Sequence, residues 1–226
     1  MCLSATASFV TGAALSVTGL YCLNMSRGAP RLLPVAATPL LFGLQQIAEG
    51  FVWHGLGHGD TLEAVLGAKA YLFFAMGLWL GYLPLSVSFL EPRPRRRLII
   101  RVISMCGLLF GALLYLPIAL DIPGGELLEV TTTEGSIAYY TNTIIQPSLL
   151  SNLIYLLFTP ATLVATTHER MQTYAFLLFL SAVATRFVVA NTWTSVWCFI
   201  AALLSLYLVH ALRRELTDAP PSTESP

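Results

Sequence analysis

The sequence predicts an all-α fold, an integral membrane bundle of seven transmembrane helices with the N-terminus outside and the C-terminus cytoplasmic. Three observations predict it. The chain is 56% hydrophobic and only 11% charged, against about 25% charged in a soluble domain. Its charges cluster between long uncharged runs, and its arginines recur in alternate connections. Twelve basic and twelve acidic residues cancel, so no basic surface is offered to nucleic acid and none is expected as a partner. The lipid bilayer is the expected partner, with a small molecule or ion as ligand, and a homo-oligomer is compatible with this reading.

Seven windows are long enough to cross the roughly 30 Å of hydrocarbon that about 20 apolar helical residues span. They run from Leu3 to Leu23, Leu33 to Leu56, Glu63 to Leu90, Leu98 to Leu120, Gln146 to Thr166, Gln172 to Ala190 and Thr192 to Leu212. No window alternates with the period of a barrel strand, so each is a helix. No basic residue precedes the first, which reads as an uncleaved helix rather than a signal peptide. Residues 1–216 form the transmembrane domain, and the Pro/Ser-rich 217–226 is expected as a disordered cytoplasmic tail.

Arg27, Arg31, Arg93, Arg95, Arg96, Arg97, His168, Arg170, Arg213 and Arg214 fall in one set of connections. The alternate set carries His54, His58, Asp60, Glu63, Asp121, Glu126, Glu129 and Glu134 and no arginine. The positive-inside rule makes the first set cytoplasmic. Asp121 to Ile145 is long for a connection. Leu127 to Thr132 and Ile137 to Thr141 flank Thr133-Glu134-Gly135-Ser136 as a hairpin outside the membrane. It reads either as a lid that draws in cations or as a solvated cap.

Glu49 is a carboxylate inside an apolar run, where an ionised group costs at least about 2.5–3.5 kcal/mol and normally has a partner or a task. At about 1.5 Å of rise per residue it lies roughly 8–12 Å below the outer surface. Lys69 is about 9 Å deep, Arg186 roughly 8 Å and Cys198 about 9 Å. These groups are expected to share one layer. Either Glu49 pairs with Arg186 or Lys69 and pins the bundle, or the layer lines an outward-facing site. Lys69 can also extend its long stem to the interface.

Ser4, Ser8, Gly12 and Ser16 put small side chains on one face of the first helix, where another helix can approach closely. Cys2 offers a thiol at the outer surface, as metal ligand or nucleophile. The opening Met1-Cys2-Leu3-Ser4-Ala5-Thr6-Ala7-Ser8-Phe9 resembles a family of uncharacterised bacterial multi-pass membrane proteins that begin Met-Cys-Phe-Ser-Ala-Thr-Ala-Ser-Phe. The resemblance continues in Gln45-Gln46, Glu49-Gly50, Trp53, Tyr71-Leu72-Phe73-Phe74 and Ser195-Val196-Trp197-Cys198-Phe199. It implies a bacterial inner-membrane protein and brings no activity with it.

A metal ion, zinc, copper or iron, would find its ligands among Cys2, Glu49, His54 and Cys198. No paired-ligand motif supports it. The glycines at 55, 57 and 59 are expected to break the helix that would align His54 with His58, and Cys2 with Cys198 could instead form a disulfide. A retinal lysine is absent midway along the last helix, where Ala202, Leu203 and Leu204 stand. Pro-Gln pairs of sugar transporters are absent, and the last helix carries only His210 of the histidine pair that seven-helix zinc hydrolases need. Three functions stay open. The first is a membrane-embedded metal- or thiol-dependent enzyme using Glu49, Cys2, Cys198 and the cations Arg186 or Lys69. The second is a small-solute or ion transporter with Glu49 as coupling carboxylate. The third is a sensor or assembly protein with a structural polar layer.

Overall fold

The computed structural model describes residues 4–121, 127–133, 135–142, 166–189 and 192–218. Ser4 starts α1 (Ala5–Met25), its hydroxyl accepting from the Ala7 N–H at 3.2 Å. A 3₁₀ turn at Pro30–Leu32 leads through α2 (Leu33–Ala36) into α3 (Thr38–His58). Then follow α4 (Thr61–Leu72), a π-helical turn (Phe73–Leu78), α5 (Trp79–Ser88) and α6 (Pro94–Leu120). Strands β1 (Leu128–Thr133) and β2 (Ser136–Thr141) precede α7 (Glu169–Val188), α8 (Trp193–Leu204) and α9 (Tyr207–Thr217).

Among the described residues six helical runs are long and apolar enough to cross a membrane: 5–25, 30–58, 61–88, 94–120, 169–188 and 193–217. The seventh expected window, Gln146 to Thr166, lies outside the described residues except for Thr166. The expected break before His58 does not occur. The run continues through Gly55 and Gly57 and stops at Gly59, whose φ of 73° is the left-handed conformation that closes a helix. Gly55 is kept free of a side chain by the next helix, since a Cβ there would lie 2.5 Å from the Ala64 nitrogen.

Three runs form the interior. The windows in 30–58, 61–88 and 193–217 are 67%, 61% and 56% buried, against 28%, 22% and 33% for 5–25, 94–120 and 169–188. The outer runs turn aliphatic side chains outward: Leu98, Val102, Leu109, Leu113 and Leu120 on α6, and Phe187 and Val188 on α7, are exposed. Contiguous apolar surface of that kind suits hydrocarbon rather than water.

The runs meet backbone to backbone. A Cβ on Gly43 would sit 2.5 Å from Ser16 Oγ and 2.8 Å from the Gly12 oxygen, and one on Gly19 would strike the Leu40 main chain. The small-residue face of α1 therefore packs on α3, with Ser8, Gly12 and Gly19 buried. The α5–α6 pair repeats the arrangement. A Cβ on Gly111 would lie 2.5 Å from the Gly77 oxygen, and Ser104 Oγ donates to the Gly81 oxygen at 2.5 Å.

The end away from the hairpin is tied by Glu91, which is fully buried. Its Oε2 accepts from the Thr167 N–H at 2.9 Å and the Thr167 hydroxyl at 3.1 Å, and its Oε1 from the Arg93 N–H at 3.2 Å. Beside it His168 Nε2 meets the Leu90 oxygen at 2.7 Å, and Arg170 reaches Glu215 at 3.0 Å and Asp218 at 2.6 Å. Burial pushes the Glu91 carboxyl up, but the N–H and hydroxyl donors and the Arg96 charge outweigh it and hold it below its ordinary value.

Two outcomes follow from this packing. Gly43→Leu should destabilise the bundle by about 1–3 kcal/mol, read as a lower melting temperature in detergent, whereas Gly57→Leu, where a Cβ meets nothing within 4 Å, should change it little. Because the folded Glu91 carboxyl is depressed, its contribution is complete above the unfolded value of about 4.3 and is lost as pH falls through the lower folded value. Glu91→Gln should therefore lower the melting temperature at pH 7, and the gap from wild type should close on acidification below about pH 4.

Candidate functional site

Gln45, Gln46, Glu49 and Trp53 stand at i, i+1, i+4 and i+8 of α3, a spacing that places them within roughly 100° of one helix face. That face meets Ser195 and Cys198 of α8, Tyr71 near the end of α4 and Trp79 at the start of α5. Glu49 has no exposed surface. Its Oε1 accepts from Ser195 Oγ of α8 at 2.6 Å, while its Oε2 is buried with no hydrogen-bond partner. Gln46 flanks the carboxylate closely enough to act on it as a donor, although neither atom of its amide completes a hydrogen bond of good geometry.

Cys198, one turn after Ser195, is buried with its thiol beside the Tyr71 hydroxyl and the Gln45 amide. Tyr71 donates to the Thr194 oxygen at 3.1 Å, and Trp79 Nε1 donates to Gln45 Oε1 at 2.6 Å. Tyr71 and Trp79 are eight positions apart, which would turn them about 80° from each other in an unbroken α-helix. The π turn at Phe73–Leu78 acts as a one-residue insertion and reduces that angle to about 20°. Both side chains therefore reach the same face of α3.

The hairpin closes one end. Leu128 pairs with Thr141 and Thr133 with Ser136 in an antiparallel register, so the strands begin within a residue of the stretches expected. Leu128 and Ile137 are buried in the cluster that includes Val52, Tyr71, Trp197 and Cys198. Tyr139 stacks on Tyr71 with ring centroids 4.9 Å apart and planes at 9°. Its hydroxyl is buried without a partner. Burial, with the charge of Glu49 nearby, holds that hydroxyl well above the ordinary tyrosine range, so it stays a neutral donor. Against the other side of the hairpin lies a cleft of about 490 Å³ lined in part by Asp60, Asp121, Val65, Leu128 and Glu129.

The expected residues do not all meet. Glu49 and Cys198 share the site, but among the described residues no ion pair within 4.0 Å joins Glu49 to any cation. Lys69, 9% exposed, donates to the main-chain oxygen of Asp121 at the end of α6. Arg186 is exposed on the outward face of α7 beside Phe187 and Val188. Equal depth did not bring these charges together because they project in different directions around their helices. His54 is also elsewhere: its Nδ1 lies 2.8 Å from Glu63 Oε2 and its ring 4.2 Å from that of His58. Cys2 lies outside the described residues, and with it the Cys2–Cys198 disulfide. Among the described residues no group of three or more His, Cys, Asp or Glu side chains is placed to hold a metal ion.

Ser195, Gln45, Gln46, Tyr71 and Tyr139 belong to the site though none was singled out as a functional residue. For Ser195 and the glutamines the signal was present, since neutral polar groups in apolar runs need partners as carboxylates do. Ser195→Ala should remove the hydroxyl donor to Glu49 Oε1 and lower stability by about 1.5–3 kcal/mol, whereas Ser205→Ala, whose hydroxyl bonds to the nearby Ala202 oxygen, should lower it by less than about 1 kcal/mol. Chemical denaturation of the two variants side by side checks this.

The model of a family of unknown function (DUF6629) matches residues 1–223. No curated protein and no solved structure matches the chain.

Proposed function

The chain belongs to this family of unknown function, so its role is argued from the site, and we propose that it is a multi-pass integral membrane protein that takes a small ligand into the hairpin-capped half of its bundle. Glu49 is the residue that engages it. The observation that carries this is the bare, buried Oε2 of Glu49 with no cation among the described residues in reach. A buried carboxylate is stable only when paired, coordinated or protonated. The missing partner is therefore supplied from outside the described chain, as a cationic or proton-donating group on the ligand.

The chemistry this site would carry is that of a membrane-embedded enzyme. Glu49 would act as base or ligand, Cys198 as a thiol nucleophile or soft ligand, and Ser195 and the glutamines would orient the reactants. A conduit is less well supported. The opposite half is packed with Leu15, Leu32, Val35, Phe42, Leu83 and Met171, and among the described residues no charged side chain is buried there before Glu91 at its end. The arginine-bearing connections support a cytoplasmic location for the Glu91 end and an extracytoplasmic one for the hairpin, in a bacterial inner membrane.

Glu49→Gln tests the reading. A carboxylate kept for ligand binding is a cost to the empty fold, so the variant should melt at or above the wild-type temperature. It should also lose any small molecule that accompanies the wild-type protein in native mass spectrometry. A variant that melts well below wild type while retaining the same bound molecule would assign Glu49 a structural role and sink the proposal.

A further inference from the structure

The atoms left without partners around Glu49 are of two kinds. Glu49 Oε2 and Gln46 Oε1 are acceptors, Gln45 Nε2, Gln46 Nε2 and Trp53 Nε1 are donors, and the Tyr139 hydroxyl can be either. The orientation of Gln45 is fixed, because its Oε1 accepts from Trp79 and its Nε2 is then the atom turned to the Cys198 thiol. Both ends of Gln46 are unpaired, so exchanging them leaves the inventory unchanged. Gln45, Gln46 and Glu49 have no exposed surface, so water cannot reach them from outside and each unmade bond there is destabilising. What fills the site must present donors to one part of it and acceptors to another.

Charge narrows the class. Among the described residues Glu49 is the one carboxylate in this cluster, and no lysine, arginine or histidine pairs with it. A ligand with a single positive charge restores neutrality. A zwitterion would leave a net negative charge buried. A bare metal ion would satisfy the two acceptors but leave two amide N–H groups and an indole N–H, none of which ligates a cation, facing it. Gln46 lies one turn from Glu49, with Cβ atoms about 5–6 Å apart, so the two parts of the ligand are separated by only a few bonds.

Resting on the reading of Glu49 above, we propose that the site takes a monocationic amine bearing a neutral oxygen a few bonds away, a short amino alcohol either free or at the head of a long-chain lipid. The ammonium pairs with Glu49 Oε2 and Gln46 Oε1. The hydroxyl, which has two lone pairs, accepts from Gln46 Nε2 and Trp53 Nε1.

The test uses the full chain in phosphatidylcholine nanodiscs, with affinities read by thermal shift and calorimetry. The soluble probes are ethanolamine, propylamine, glycine and zinc ion, and the membrane-borne probe is a long-chain 2-amino alcohol placed in the bilayer. At least one of the two amino alcohols should bind, and which of them binds more tightly identifies the source. Propylamine, which lacks the oxygen, should bind about tenfold more weakly than the soluble amino alcohol, or than the lipid probe if only that binds. Glycine and zinc should give no shift. Trp53→Phe, which removes one donor, should weaken the amino alcohol severalfold and leave propylamine unchanged. Propylamine or glycine binding as tightly as the amino alcohol, or a shift with zinc alone, would overturn the proposal. If Glu49→Gln loses the molecule that wild type carries but neither protein responds to amines, the ligand class falls and the binding role of Glu49 stands. If Glu49→Gln binds amino alcohols as wild type does, both fall.

Discussion

Everything in this bundle depends on how closely α3 can be approached. In hydrocarbon, apolar side chains gain nothing by leaving lipid for one another, so helices associate where small residues let their backbones touch. Gly12 and Ser16 against Gly43 seat α1 on one side of α3, and Gly55 and Gly67 let α4 close on the other. With both flanks occupied by main chain, α3 has one remaining face for larger groups. That face carries Gln45, Gln46, Glu49 and Trp53. The polar site is thus a by-product of tight packing elsewhere, since a helix locked at this distance from two neighbours cannot rotate its carboxylate toward lipid.

Much of the scaffold was legible because the bilayer restricts the options. A run of apolar residues with arginines beyond its ends has few ways to be satisfied except as a spanning helix, and the windows beginning near Leu3, Leu33 and Leu98 match observed runs to within a few residues. The hairpin was legible from turn residues flanked by β-branched and aromatic ones. The break expected before His58 was not found, because glycine's poor intrinsic helix propensity is overridden where Gly55 must admit the Ala64 main chain. Helical rise gives height along a run but not the direction a side chain takes from it. Lys69, Arg186 and Glu49 were therefore given similar depths from sequence and found without contact. Direction is set by tertiary packing, which one sequence does not print.

The two ends of the molecule handle buried acids differently. Glu91 is surrounded by N–H and hydroxyl donors that use both of its oxygens and knit the connection after α5 to the start of α7. Glu49 has a single hydroxyl donor and an idle oxygen. Donors supplied at one end and withheld at the other are the contrast on which the ligand-binding role proposed for Glu49 rests. The hairpin reinforces the distinction, because Tyr139, stacked on Tyr71, leaves its own hydroxyl unbonded.

The π turn at Phe73–Leu78 divides its run into two halves that are phased separately. Tyr71 before it and Ala75 within it belong to the half of the core around Cys198, and after it Trp79, Leu83 and Val87 belong to the half around Leu15 and Met171. One extra residue acts here as a punctuation mark. Losing one residue from the turn would restore an unbroken α-helix with Trp79 and Gly81 facing as they do now, whereas gaining one more, or losing two, would rotate the whole downstream helix by about 100° and swing Trp79 off Gln45. In a chain whose helices are spaced by glycine, insertions and deletions within a span therefore change which face is which, and length itself becomes part of the site's specification.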